Sequence, residues 1–111
     1  MPAPPSLRDF EQIVLLAILR LGDNAYGTAI RNEIAACTDR APAPGALYTT
    51  LDRLEEKGLV TSKFGDPTPQ RGGRAKRYVT VTATGLRAIA HAQRAYQRLL
   101  DGLQLPGMTH A

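Results

Sequence analysis

Between Pro44 and Gly58 the chain places Leu47, Leu51 and Leu54 about one helical turn apart, then changes period abruptly. Apolar residues at i, i+4 and i+7 mark a helix with one buried stripe. Proline suits a first helical turn, and glycine suits the position just past the last. A helix from about Pro44 to Lys57 is therefore predicted. Residues 59–64 and 77–81 alternate in the manner of strands. The segment between them, Gly65 to Ala75, is rich in Gly, Pro and Arg and too long for a tight hairpin. The length of 111 residues fits a single domain.

Upstream, Ser6 with Asp9 three residues on reads as a variant capping box. Phe10, Ile13, Val14, Ala17, Ile18 and Leu21 then define the core-facing stripe of a first helix, which Gly22 ends. Leu15, Leu16 and Leu19 fall outside that stripe, on a second apolar side expected to bury against a partner. Asn24 is placed to cap a second helix from about Ala25 to Thr38, with Tyr26, Ile30, Ile34 and Cys37 inward. Pro42 and Pro44 punctuate the following turn. Thr82 can cap a last helix reaching about Leu103, before Pro106 stops it. The order helix, helix, helix, strand, basic loop, strand, helix defines a mainly α winged helix–turn–helix with a small β-hairpin and a C-terminal dimerisation helix. Residues 6–82 are expected to form the DNA-binding unit and 83–104 the dimerisation helix, with flexible tails at 1–5 and 106–111.

Net charge is +4, and its distribution is uneven. No acidic residue occurs from Pro67 to Leu100, a stretch that carries Arg71, Arg74, Lys76, Arg77, Arg87, Arg94 and Arg98. A one-sided basic segment points to a polyanion, and its place after a helix–turn–helix points to double-stranded DNA. With its leucines buried, the third helix should display Gly45, Thr49, Asp52, Arg53 and Glu56, with Tyr48 and Thr50 on the flanks. Its small, neutral first half permits close approach, and its free N–H groups suit a phosphate. Thr49 can meet a base edge or thymine methyl, and Arg53 can donate two hydrogen bonds to guanine. In the loop, Arg71 and Arg74 flank two glycines; Arg74 suits a narrow minor groove, while Lys76 and Arg77 at the strand base suit phosphates.

Other function classes are disfavoured. The composition, 43% apolar and 22% charged, is that of a globular chain. No apolar run approaches the roughly 18 residues of a membrane span, and the first residues lack the basic-then-apolar order of a signal peptide. The single cysteine, Cys37, cannot form an internal disulfide, so a cytoplasmic location is expected and Cys37 reads as a small core residue. His91 and His110 have no partner at metal-ligand spacing. Glu55 and Glu56, adjacent on a helix, diverge and make a poor catalytic pair. Neither enzymatic activity nor a metal or cofactor is expected.

The last helix bears on assembly. Leu86, Ile89, Gln93, Tyr96, Leu100 and Leu103 form an a/d seam, and Ala88, Ala92, Ala95 and Leu99 form a second, smaller strip. One strip can pack on the first helix while the other meets a second copy, with Gln93 fixing register. A single broad stripe on a monomer's own core is the alternative.

Ala25-Tyr26-Gly27, the run from Gly45 to Val60, Gly72-Gly73-Arg74-Ala75-Lys76-Arg77-Tyr78, and Thr82 with Gly85 together resemble the PadR-like transcriptional regulators. The resemblance spans about Leu7 to Leu103. It implies a homodimeric repressor of a palindromic operator, often released by a small molecule, in which Tyr48 and the wing arginine touch DNA. Many members have proline where this chain has Thr49, so base preference does not transfer. A ligand sensor with a small-molecule site at the dimer interface, lined by Tyr96 and Phe10, is a compatible reading. A winged helix that binds only protein is a third, and would not need so basic a wing.

Overall fold

The computed structural model describes residues 4–65 and 75–107. Four helices and one hairpin follow in the order α1 (Asp9–Leu21), a 3-10 turn (Gly22–Asn24), α2 (Gly27–Thr38), α3 (Pro44–Glu56), β1 (Val60–Phe64), β2 (Arg77–Val81) and α4 (Ala83–Leu100). The fold is a winged helix–turn–helix with a C-terminal helix. β1 and β2 pair antiparallel from Val60↔Val81 to Phe64↔Arg77. On its other edge β2 meets the segment before α2: Val79 N–H donates to the Ala25 carbonyl at 2.8 Å, and Tyr26 bridges Tyr78. The root of the hairpin is thereby held on both sides.

The core draws on all four helices and both strands, with Val14, Ile18, Ile30, Leu47, Leu51, Leu54, Leu59, Val60, Val79 and Ala88 among its buried members. Full burial of each large aliphatic side chain contributes about 1.5–3 kcal/mol. The buried face of α1 is rotated from the expected one. Glu11, Val14, Leu15 and Ile18, spaced i, i+3, i+4, i+7, form its centre, and Phe10, Ile13 and Leu21 only flank it. Leu15 is fully buried in the protein's own core and does not belong to an outer apolar side; Leu16 and Leu19 remain exposed. A charged residue at the head of the buried face hides its phase.

Several end signals also differ. Arg8 precedes α1, and its backbone N–H donates to the Glu11 carboxylate at 2.8 Å, so Glu11 and not Asp9 satisfies the free donor. Asn24 lies in the 3-10 turn and α2 starts at Gly27, without a side-chain cap. Cys37 is exposed, its thiol 3.4 Å from a Glu33 carboxylate oxygen, because α2 buries only Ile30 and Ile34.

α4 is seated where it begins. The Thr82 hydroxyl accepts from Gly85 N–H at 3.0 Å and donates to the Gly58 carbonyl at 2.7 Å, joining the start of α4 to the end of α3. At Gly85 a β-carbon would run into the Leu59 carbonyl oxygen, so only glycine lets the helix approach this closely. Further along, Ala88 and Ile89 are buried against the protein's own core. Gln93 donates to Gln12 and the Tyr96 hydroxyl to Asp9, each at 3.3 Å. Ile89 therefore leaves the expected intersubunit seam, and the amide of Gln93 is bonded within its own chain. Leu86, Leu99 and Leu103 are exposed, Tyr96 is half-exposed and Leu100 is partly buried. The helix ends at Leu100, one turn earlier than the periodicity suggests, and Asp101 and Gly102 form a turn in which Leu103 N–H donates to the Leu100 carbonyl.

Candidate nucleic-acid interface

The exposed side of α3 is defined by what the other side buries. Leu47, Thr50, Leu51 and Leu54 are buried at i, i+3, i+4 and i+7, so Thr50 falls inside the core stripe and is not accessible to DNA. At about 100° of turn per residue Thr50 lies at one edge of the buried arc and Leu51 at the other, and the neighbouring elements cover Thr50 to 5% exposure. Gly45, Ala46, Tyr48, Thr49, Asp52, Glu55 and Glu56 are exposed, and Arg53 is partly so. Pro44 occupies the first turn after Ala43, which provides no side-chain cap, leaving the N-terminal N–H groups of the helix facing outward.

Tyr48 reaches from α3 to the first turn of α2. A β-carbon at Gly27 would collide with the Tyr48 hydroxyl, so the two helix starts form one continuous surface. Tyr26, immediately before α2, packs edge-on against Tyr78 of β2, with ring centroids 5.6 Å apart. The Lys76 ammonium lies 4.3 Å from the centre of the Tyr26 ring, a cation–π contact that holds an exposed lysine at the root of the wing. Gly45, Tyr48 and Thr49 thus share a face with the start of α2, with Lys76 at the wing's base. Arg71 and Arg74 lie outside the described residues.

Arg77 is placed differently from the sequence expectation. Its guanidinium donates to the Ser62 hydroxyl at 2.9 Å and to Asp52 at 2.9 Å, and lies 3.6 Å from Glu55. Its side chain is 18% exposed. It faces the acidic end of α3 and is not a free phosphate anchor.

Behind this surface, the buried carboxylate of Glu11 meets the Lys57 ammonium at 2.9 and 3.0 Å. Burial alone would raise the Glu11 pKa, but the Arg8 N–H, the Lys57 hydrogen bond and the nearby positive charges outweigh it, and the net direction is down. Lys57 directly follows α3, so this pair fixes the far end of that helix to α1. Sequence reasoning misses this pair; the i, i+3, i+4, i+7 series beginning at Glu11 is the signal that could have found it. Among the described residues there is no cluster of three or more His, Cys, Asp or Glu able to hold a metal, and no helix is long and apolar enough to cross a membrane.

A three-helix core carrying a two-stranded wing defines the class of winged-helix proteins. A winged-helix DNA-binding protein from STIV superposes with a TM-score of 0.69 over 90% of this chain and 100% of its own, at 17% identity, a likeness of fold. A PadR family transcriptional regulator from Eggerthella lenta gives 0.64 over 82% of this chain and 77% of that one, at 27% identity. Transcriptional regulator Rv3488 of Mycobacterium tuberculosis is 35% identical over 109 residues, 94% of each chain. Residues 15–91 match the transcriptional regulator PadR-like family. The chain belongs to that family of transcriptional regulators.

Proposed function

We propose that this protein is a sequence-specific repressor that binds double-stranded DNA in the cytoplasm as a homodimer, on an inverted-repeat operator. The observation that carries the reading is the exposed, uncharged first half of α3, with Gly45, Tyr48 and Thr49 beside the start of α2 and Lys76 at the wing's root. A helix start of this kind fits against a duplex, where Thr49 and Arg53 reach base edges and Lys76 a phosphate. Arg71 and Arg74 would add further positive charge to this contact. The family's relatives, named as transcriptional regulators, agree with this use.

Dimerisation is supported by Leu16 and Leu19 on α1 and by Leu86, Leu99 and Leu103 on α4 and just beyond it, all of them exposed. Large aliphatic side chains gathered on a small protein's surface favour association. Tyr96 is also exposed and Leu100 partly so. A small apolar or planar effector, if used, enters between subunits beside Tyr96 and lowers DNA affinity by preferring the DNA-incompetent dimer. Selection of fragments from random duplex DNA tests the reading. Enrichment of an inverted repeat with half-site centres about one helical turn apart is expected. No enrichment over a scrambled control would refute it.

A further inference from the structure

Arg77 has surroundings unlike those its place on a basic wing suggests. All three guanidinium nitrogens face partners from two other elements: Nε the Ser62 hydroxyl of β1, the terminal nitrogens Asp52 and Glu55 of α3. The carboxylates are themselves well exposed, Asp52 at 65% and Glu55 at 45%, whereas the arginine is largely covered. A rigid planar fork is suited to joining two carboxylates at a fixed angle, as a flexible ammonium is not. Arg77 is also the first residue of β2, paired with Phe64, the last of β1, so the wing loop departs from this point.

We propose that Arg77 is a positioning residue for DNA recognition: through Asp52 and Glu55 it fixes the wing to the reading helix and cancels the acidic end of that helix, and it does not itself bind phosphate. This rests on the DNA-binding reading above. If Arg77 turned to a phosphate, it would leave two carboxylates unpaired beside a polyanion, an arrangement in which like charges repel. Lys76, its neighbour, has no carboxylate in hydrogen-bond range among the described residues and serves as the contrasting case.

The test is a mutant cycle on the duplex recovered by selection, with a scrambled duplex alongside, at several salt concentrations. Arg77→Met is expected to weaken operator binding about tenfold, within the range seen for directly coupled groups. In an Asp52→Asn/Glu55→Gln background the same change is expected to cost no more than about twofold, because the tether is already gone. That background, despite two fewer negative charges, should show a smaller ratio of operator to scrambled affinity. Lys76→Ala, by contrast, should lower the salt slope by about 0.9 for each phosphate that the lysine neutralises. Equal losses from Arg77→Met in both backgrounds, with a matching fall in slope, would make Arg77 a phosphate anchor and overturn the proposal. Should Arg77→Met fail to fold, the Asp52→Asn/Glu55→Gln protein decides alone: tighter binding to both duplexes at an unchanged ratio also overturns it. Failure of the wild type to bind any duplex selectively would instead remove the DNA-binding reading, and this proposal with it.

Discussion

Glu11 and Lys57, 46 residues apart in sequence, meet as a carboxylate and an ammonium 2.9 Å from each other, with Glu11 only 1% exposed. The pair joins the first turn of α1 to the residue that closes α3. From that same turn Gln12 and Asp9 bond to Gln93 and Tyr96 of α4. One turn of helix thus holds both α3 and α4.

Glu11→Gln should destabilise the protein by about 1.5–3 kcal/mol near neutral pH, the usual contribution of a charged hydrogen bond. The folded-state pKa of Glu11 lies below its ordinary 4.5, so the stabilisation is present above that value and is lost as pH falls through the folded pKa. Urea titrations of both proteins at pH 7, 5, 4 and 3 would check this. The gap between them should narrow only toward the acid end; a constant gap would show that the ionised form is not favoured by folding.

Neighbouring leucines on α1 should separate folding from association. Leu15→Ala empties a fully buried site and should cost about 2–5 kcal/mol, read in thermal or denaturant unfolding. Leu19→Asp should leave each subunit folded but weaken dimerisation, because a carboxylate at an apolar contact lacks a partner. Sedimentation of the wild type should give twice the chain mass of 12.0 kDa and of Leu19→Asp a lighter species. A wild type that stays at the chain mass at high concentration would contradict the dimer.

Gly27→Ala places a methyl group where the Tyr48 hydroxyl lies and should cost about 1–3 kcal/mol by overpacking. Adding Tyr48→Ala should recover most of that stability but not DNA affinity. Recovery of both would show that Tyr48 contributes nothing at the duplex.

Reading and anchoring should divide between Arg53 and Lys76. Arg53→Ala should change sequence preference, costing about 1–3 kcal/mol at particular positions of the site. Lys76→Ala should weaken all duplexes alike. Titrations on specific and scrambled duplexes separate the two, and the opposite pattern would exchange the roles.

How far the sequence disclosed the molecule depended on whether a charge interrupted the pattern. α3 and both strands were legible because their leucines and alternating residues run unbroken. α1 is legible as a helix but its buried face is not, since Glu11 stands at the head of the buried series. The burial of Thr50 is hidden because a hydroxyl gives no hint of it, and the end of α4 is hidden because Leu103 continues its period. The partners of Arg77 were beyond reach for another reason. Sequence shows that carboxylates and guanidinium groups exist, while only the hairpin register and the angle of α3 decide which of them face each other.

The seat of α4 on the Leu59 carbonyl has a geometric consequence. Were the Gln93 and Tyr96 bonds to α1 to give way, Gly85 would be the fulcrum and the rest of the helix a lever extending from it. At 1.5 Å of rise per residue, a tilt of about 10° at Gly85 would carry Leu100 through about 4 Å. In the proposed dimer, levers that moved together would change the span between the two α3 helices by a distance comparable to one base-pair step. A methyl group at position 85 would shift that fulcrum without touching any residue that faces DNA.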